Sequence, residues 1–426
     1  MGNFSQLPSD ILLDIITRLP AESVLDCKLV CKPRKNLVSH HPSFVQLHST
    51  RLLDDSSDSA GELSFLVSSY FGLYYFKYDD EDDTFPIRTF RMINLTPPYR
   101  SHEIKVLGSF NGLVCLHGWD DHYFYCICNP VTKEYVMLPK IEKDYPVHDV
   151  KWSRGFGYLP LTNEYKVVQF MVRKEYKFPE SVVFTEAFVY TLGSGNGWRN
   201  VGRLDYEGCY MYDGCRVYAE FGVFLNGVLH WAHIEGGKVL TLDLAEEKLE
   251  YLSPPPLPLD GGNRYRYSMG VLDRVLYYAM SQATRDFSQT ESTYCDIWLL
   301  KNNNDISDAE QEHLGWSKEF SLPERELLAF TKSGGILCFG YRSLNIYDPV
   351  ASSLETLADF NVFQQIIHFK TTFVPLKGLA GEEEDIKFME SGYVEKKSTE
   401  IEGEVLTFEL YKIHEPCLID SKTRER

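Results

Sequence analysis

Tight turns followed by apolar strands recur along this chain of 426 residues, and their spacing limits the possible folds more than any other feature. Each unit opens with a turn rich in Asn, Gly or Asp, continues into an apolar strand and is followed by a second one. The turns stand at Asn111, Asn163, Asn226, Asp273 and Ser333, at intervals of 52, 63, 47 and 60 residues. Four-stranded propeller blades repeat about every 40–50 residues before loop insertions are added. The spacing therefore predicts a ring of blades.

A weaker unit over residues 63–79 and 88–95 raises the predicted number of blades to six, with five and seven left open. The turn Asp348-Pro349 in the last unit matches Asn129-Pro130 in the first strong one. A single blade cannot bury both of its faces, so closure of the whole set into a ring is the stable arrangement. The expected fold of this region is an all-β, propeller-like repeat domain.

The first 50 residues have a helical pattern instead. Leu12, Ile15, Ile16 and Leu19 follow the spacing of one helix face, and Pro20 is expected to end that helix at Leu19. Three more short helices are predicted over residues 23–32, 36–40 and 42–52. So small an all-α module buries too little apolar surface to be stable alone, and we expect it to use the surface of a partner.

Charge and cysteine usage narrow the function classes. The formal net charge is −18, of which residues 1–50 carry +1, residues 51–379 carry −13 and residues 380–426 carry −6. No segment has the basic excess that nucleic acid or an anionic membrane attracts, so neither is expected as a partner. The 10 cysteines are scattered, many within apolar runs, and no secretory signal stands at the start. We expect buried thiols and a cytoplasmic or nuclear location.

A search for catalytic and metal-binding motifs predicts no catalytic residue, no metal and no cofactor. The segment from Gly193 to Gly197 lacks the spacing of a phosphate-binding loop and is predicted to be a hairpin. Cys126 and Cys128 lie near His117 and His122, but a C-x-C pair on a strand is a poor zinc motif, so buried core cysteines are the preferred interpretation. A propeller enzyme such as a sugar oxidase, with copper held by His and Tyr, remains the less favoured alternative.

The helical module carries the most specific motif of the sequence. Leu7-Pro8-x-Asp10-x-Leu12, Ile15 and Leu19-Pro20, followed by Val30-Cys31-Lys32 and Leu37-Val38, resembles the F-box over about 45 residues. In that family the apolar face docks against a SKP-type adaptor and, through it, a cullin. The resemblance implies that the adaptor-binding residues are Leu7, Pro8, Leu12, Ile15, Leu19, Pro20, Val30 and Leu37, although some of these must form the module's own core.

Three positions depart from the F-box pattern. Family members carry Lys or Arg where this chain has Glu22 and Asp26, and a Trp where it has Arg34. These changes leave open the alternative that the module packs only on its own propeller.

The rest of the chain resembles the F-box-associated, kelch-related domain of plant F-box proteins. The resemblance rests on ordered short motifs, among them Gly108-Ser109-x-Asn111-Gly112, Gly155-Phe156-Gly157-Tyr158 and Asn226-Gly227-Val228-Leu229-His230-Trp231. It divides the chain into an F-box-like module (1–50), a linker (51–60), a propeller-like domain (61–378) and an acidic tail with a possible extra strand (379–426). It implies a non-catalytic substrate receptor of a SKP–cullin–F-box ubiquitin ligase. A ligase-independent interaction scaffold is the alternative.

Two aromatic segments are candidate surfaces for a client protein, because they are predicted to be loops and because Tyr and Arg are enriched at interface hot spots. The acidic middle segment favours a basic client. The candidate client-binding residues are Tyr206, Tyr210, Tyr212, Arg264, Tyr265, Arg266 and Tyr267.

Overall fold

A computed structural model gives the fold of the chain. Within its described part, four short helices precede six sheets arranged in a ring, as the repeat spacing predicts. The structure describes residues 7–41, 43–54, 62–69, 72–81, 86–93, 104–119, 123–141, 151–176, 181–206, 219–233, 238–256, 265–282, 294–302, 314–323, 325–340, 342–359, 363–381, 384–389 and 406–407.

The helices are α1 (Ser9–Ile16), α2 (Ala21–Val30), α3 (Lys32–His40) and α4 (Phe44–Asp54). Pro8 and Pro20 precede α1 and α2 in extended backbone, where a missing N–H is not needed. The expectation that the first helix reaches Leu19 was wrong, since the Thr17 hydroxyl donates to the Leu13 carbonyl at 2.8 Å and the chain turns there. The second helix, predicted to run to residue 32 and to end before Pro33, ends instead at Val30. The extended residue Cys31 separates it from α3. Helix α4 also continues into the stretch expected to be a linker.

The strands run in chain order and are grouped here by blade. They are β1 (Glu62–Ser69), β2 (Gly72–Asp79) and β3 (Ile87–Ile93) in blade I; β4 (Ile104–Phe110), β5 (Leu113–Trp119), β6 (Tyr123–Cys128) and β7 (Glu134–Met137) in blade II; β8 (Lys151–Leu159), β9 (Glu164–Tyr176), β10 (Ser181–Thr191) and β11 (Trp198–Tyr206) in blade III; β12 (Val223–Leu225), β13 (Val228–Trp231), β14 (Val239–Asp243) and β15 (Lys248–Leu252) in blade IV; β16 (Tyr265–Leu272), β17 (Val275–Gln282), β18 (Tyr294–Asn302) and β19 (Leu314–Pro323) in blade V; β20 (Glu326–Phe330), β21 (Ile336–Gly340), β22 (Ser343–Asp348) and β23 (Ser353–Asp359) in blade VI; then β24 (Phe363–His368), β25 (Lys387–Phe388) and β26 (Leu406–Thr407).

The ring closes through β24, which pairs antiparallel with β1 and becomes the innermost strand of blade I. The Gln365 side chain extends this closure to the next blade, because its Oε1 accepts from the Val106 N–H of β4 at 2.9 Å. The first and last strands of the propeller, β1 and β24, therefore lie in one sheet.

The recurrent turns join the first and second strands of a blade. In three blades both central turn residues have positive φ: Asn111 and Gly112, Asn226 and Gly227, Asp273 and Arg274. This backbone is that of the two-residue hairpin turn whose twist matches antiparallel strands. The repeat unit inferred from sequence therefore begins at the second strand of each blade and not at the first. The first, innermost strands were missed because they are partly exposed to the centre of the ring and lack a continuous apolar run, as in β16.

The turn that joins the third and fourth strands also has the same geometry in several blades. The side chains of Asn129, Asp243 and Asp348 each accept hydrogen bonds from backbone N–H groups two and three residues further on. The predicted match between Asn129-Pro130 and Asp348-Pro349 is thereby confirmed. The glycine-rich segment from Gly193 to Gly197 joins β10 to β11 and is a hairpin, as expected.

The C-terminal segment adds short strands to two outer blade edges. β25 pairs with β7 of blade II, and β26 pairs in parallel with β23 of blade VI. The region expected to be a tail thus contributes to the propeller wherever the structure describes it.

Adjacent blades pack through apolar clusters, and blades III and IV show what close approach requires. Trp231 is fully buried, and its Nε1 donates to the Arg154 carbonyl at 3.1 Å. A Cβ on Gly155 would lie 2.9 Å from both Trp231 Cζ2 and Leu229 Cδ1. Only glycine lets β8 lie this close to blade IV.

We expect Gly155→Ala to destabilise the propeller by about 1–3 kcal/mol, because the added methyl overpacks a fixed tryptophan. Urea unfolding followed by tryptophan fluorescence measures the loss. The control is Gly202→Ala in the same blade, where a Cβ would meet Leu249 Cδ1 at 3.4 Å. Equal stability of Gly155→Ala and the wild type would contradict this packing.

Candidate functional site

The helical module packs its inner face on the propeller. Its core is formed by Ile16, Ala21, Val24, Val38 and Phe44 from the helices together with Phe373, which follows β24. Val131, in the turn between β6 and β7, is packed against the same cluster. The partner surface that a module of this size needs is therefore supplied in part by the chain's own blade II.

Phe373 is the centre of this contact. Its ring lies 5.9 Å from that of Phe44 and 5.1 Å from that of His48, edge to face in both pairs. His48 is buried, and its Nε2 lies 2.9 Å from the Leu19 carbonyl oxygen. A single aromatic side chain from beyond the last blade thus joins α4 to the end of α1.

Phe373 belongs to a strap, defined here as residues 369–381 and 384–389. The Asn129 side chain donates to the carbonyl oxygens of Thr372 and Val374, at 3.1 and 2.7 Å. The Thr372 hydroxyl donates to the Asn111 carbonyl at 2.5 Å. These bonds hold the strap across the two blade II turns that share one end of the blade.

The strap continues to blade III. The carboxylate of Glu384 accepts from the Tyr190 hydroxyl at 2.5 Å and from the Gly193 N–H at 3.0 Å. The strap then reaches β25, at the outer edge of blade II. The end of the ring that carries the helical module and the strap is called the module face below.

The outer face of the helical module carries exposed apolar side chains. Leu7 is 36% exposed, Ile11 46%, Ile15 37% and Val30 64%. Ile11 and Ile15 are one turn apart on the outer side of α1, and Leu7 lies just before the N-cap Pro8 of that helix; the three are called the stripe below. Ile11 was missed by the sequence analysis, which followed the inward stripe of Leu12 and Ile16. The spacing of four from both Leu7 and Ile15 was the signal that could have found it.

The predicted adaptor residues divide between these two faces. Pro8 and Pro20 are exposed together with Leu7, Ile15 and Val30. Leu12, Leu19 and Leu37 are half-buried and pack against the module core. The second group stabilises the module, and the first is available to a partner.

The charged positions of the module lie around this stripe. The Arg18 and Arg51 guanidinium groups, by hydrogen bonds at 3.2 and 2.5 Å, hold the pKa of the Asp14 carboxyl below its usual value. Asp26 is exposed and Arg34 is half-buried, while the Glu22 side chain lies outside what the structure describes.

A central channel runs through the ring and has a volume of about 660 Å³. The innermost strands of all six blades contribute to its wall: β4, β8, β12, β16, β20 and β24. Near the module face, Phe110 lies 5.4 Å from Phe156 and 4.8 Å from Phe224, ring centre to ring centre. Three aromatic rings therefore crowd that end of the channel on the side of blades II to IV.

The other end of the channel, called the far end below, carries polar groups among the described residues. Tyr267 and Glu326 line it near the starts of β16 and β20, and Glu220 precedes β12. Lys105 and Arg154 reach the Glu220 carboxylate at 3.1 and 3.5 Å. This trio joins blades II, III and IV beside the channel.

The predicted client-binding residues are only partly gathered at this end. The expectation that Tyr265, Arg266 and Tyr267 form a loop was wrong, because they begin β16, and their alternation is that of a strand. Tyr206 ends β11, far along the sequence from them. Tyr210, Tyr212 and Arg264 lie outside the described residues.

The groups once considered for metal binding are buried in the blade II core. Burial raises the pKa of the Cys115 and Cys126 thiols, which keeps them protonated. Burial, assisted by Arg154, lowers the pKa of His117 to about 3, and His117 Nδ1 lies 3.0 Å from the Phe124 carbonyl oxygen. His122 is outside the described residues. Among the residues that are described, no three His, Cys, Asp or Glu side chains are grouped as a metal site would need.

None of the described helices has the length and apolar character needed to cross a bilayer.

The chain thus consists of a helical module with an exposed apolar stripe and a propeller with a central channel, joined by the strap. Residues 4–46 match the family described as the F-box domain, and residues 89–307 match the F-box associated beta propeller domain. The second match covers just over half of the chain.

Relatives in Arabidopsis thaliana align with this chain over most of their length. F-box protein CPR1 is 26% identical over 333 residues, which cover 74% of this chain and 73% of CPR1. F-box protein At3g07870 is 26% identical over 75% of this chain and 73% of its own length. Putative F-box protein At1g53550 is 24% identical over 88% and 87%. The chain belongs to the plant F-box proteins that carry an F-box associated β-propeller domain.

We expect Phe373→Ala to release the helical module from blade II, at a cost of about 3 kcal/mol, because a buried ring is removed from a small core. Hydrogen exchange should become faster in residues 9–54, while the blades keep their protection. Phe330→Ala, which shortens a ring that is 39% exposed, is the control. Unchanged exchange in the helices of Phe373→Ala would show that the strap does not hold the module.

Proposed function

We propose that the protein is the substrate-recognition subunit of a SKP–cullin–F-box ubiquitin ligase. The helical module docks to a SKP-type adaptor, and the propeller binds a client protein. The observation that carries the proposal is the division of the module into two apolar faces, one on the propeller and one exposed to solvent.

The exposed stripe supports adaptor docking on physical grounds. Ile11 and Ile15 are exposed apolar side chains one turn apart on α1, Leu7 is exposed just before that helix, and clusters of exposed apolar side chains mark interaction surfaces. The stripe lies within residues 4–46, the part that matches the F-box domain. Asp26, one of the three departures from the F-box pattern, is on α2, outside the stripe on α1.

The contacts of the module's inward face favour a fixed position of the helical module relative to the propeller. Phe373, Asn129 and Glu384 tie the module to blades II and III through the strap. A client on the propeller is then kept at a defined distance from the adaptor. Ubiquitin transfer by a separate conjugating enzyme gains from this proximity, and no residue of this chain takes part in covalent chemistry.

The alternative of a ligase-independent scaffold shares the propeller but does not use the exposed stripe. A measurement of adaptor binding distinguishes the two functions, because only the ligase subunit needs it. A cytoplasmic or nuclear location belongs to the same proposal, because cullin-type ligases act there on intracellular clients.

We expect the double variant Ile11→Asp, Ile15→Asp to bind a recombinant plant SKP-type adaptor about 100-fold more weakly than the wild type. Two carboxylates would then have to be buried in an apolar interface. Isothermal titration with the full chain measures the affinity. Both positions are exposed, so the module should remain folded.

The matched control is Leu161→Asp, Val350→Asp, which makes the same chemical change at exposed propeller positions. Leu161 and Val350 are 102% and 94% exposed. This variant should bind the adaptor with wild-type affinity. Wild-type affinity of the Ile11, Ile15 variant, or no adaptor binding by the wild type, would exclude the ligase assignment.

A further inference from the structure

We propose that the far end of the central channel receives a cationic side chain, lysine or arginine, of the client, with Glu326 as its counter-ion. This inference rests on the proposed function in that the cation belongs to the client protein. It adds the chemical class of the client side chain that the propeller binds, a cation, and the residue that binds it, Glu326.

The position of Glu326 is the first argument. It is the first residue of β20 and lines the channel, at the end of the ring away from the helical module. At the other end, the ring of Phe110 contacts those of Phe156 and Phe224. A side chain that enters the channel from the far end therefore reaches Glu326 without passing these three rings.

The second argument is that Glu326 is the available carboxylate. Glu220, which also lines the channel, is engaged by Lys105 and Arg154. Glu326 has no hydrogen bond or ion pair within the part of the chain that the structure describes. Its neighbour Arg325 also lines the channel, and its side chain lies against Gly340 of β21.

The electrostatic setting favours a cation. Glu326 is exposed to the channel, and the protein atoms around the channel desolvate its carboxyl and raise its pKa to about 7. A carboxylate in this setting gains more from an opposite charge than one on the outer surface does, because bulk water screens it less. A bound cation would hold Glu326 in its ionised form.

The walls of the channel suit such a side chain. Tyr267 and Phe339 both line the cavity, and aromatic surfaces accept the alkyl stem and the charge of Lys or Arg. The volume of about 660 Å³ lies within the range of roughly 300–1,000 Å³ that is usual for ligand sites. The net charge of −13 over residues 51–379 steers basic partners toward the propeller.

The experiment uses the full chain and two fluorescein-labelled peptides, tri-arginine and tri-citrulline, which have nearly the same shape but differ in charge. Fluorescence anisotropy at low salt should show that the wild type binds tri-arginine at least tenfold more tightly than tri-citrulline. Glu326→Gln should bind tri-arginine about tenfold more weakly than the wild type. Glu326→Asp, which keeps the charge, should remain within a few-fold of the wild type and shows that a loss in Glu326→Gln is not one of folding.

The matched control is Glu250→Gln, which removes a carboxylate that is 59% exposed on β15. It should bind tri-arginine as the wild type does. Equal affinity of Glu326→Gln and the wild type, equal binding of both peptides, or no binding of tri-arginine would each overturn the inference. Adaptor affinity is measured on the same variants. Intact adaptor binding with no role for Glu326 rejects this inference alone, whereas absent adaptor binding by the wild type rejects the ligase assignment.

Discussion

The pairing of β24 with β1 is the interaction on which the rest of the structure depends. It brings the end of the repeat region back to its beginning, so that blade I is completed by a strand from some 300 residues away in sequence, as in the Phe65–His368 pair. Until that pairing forms, blade I lacks its innermost strand and the channel lacks one wall. The chain that leaves β24 then becomes the strap. Ring closure therefore also places Phe373 under the helices.

The strap explains how so short a helical module is stable. A module of four helices has few residues that can be shielded from water on all sides, and this one uses Phe373 and Val131 as part of its core. The inward face is satisfied within the chain, which leaves the stripe of Leu7, Ile11 and Ile15 for another protein. The alternatives of docking to an adaptor and packing on its own propeller are thus compatible, because they use different faces.

The local part of this architecture could be predicted from the sequence, and the long-range part could not. Turns such as Asn226-Gly227 need positive φ at both residues, and few residue pairs supply it, so each first hairpin is visible in sequence. The innermost strands are less visible, because residues such as Tyr265, Arg266 and Tyr267 alternate between half-buried and exposed and form no apolar run. The strap has no periodicity of its own. Its bonds, such as that from Asn129 to Val374, join residues 245 positions apart.

The same limit applies to the surfaces that bind partners. The motif of the helical module indicated residues on α1, α2 and α3, but separating the exposed Ile11 from the half-buried Leu12 needed the direction of the propeller. No local sequence motif marks Glu326. Its proposed role as a counter-ion follows only from its position in the channel.

The central claim is that the two faces of the helical module have different partners, one within the chain and one outside it. Hydrogen exchange of the full chain with and without a SKP-type adaptor tests this most directly. The account predicts that the adaptor slows exchange in α1 and at the end of α2, while the strap from Phe369 to Gly381 keeps the protection it has in the free protein. Faster exchange in the strap on adaptor binding would contradict the account, because the adaptor would then compete for the face that packs on the propeller.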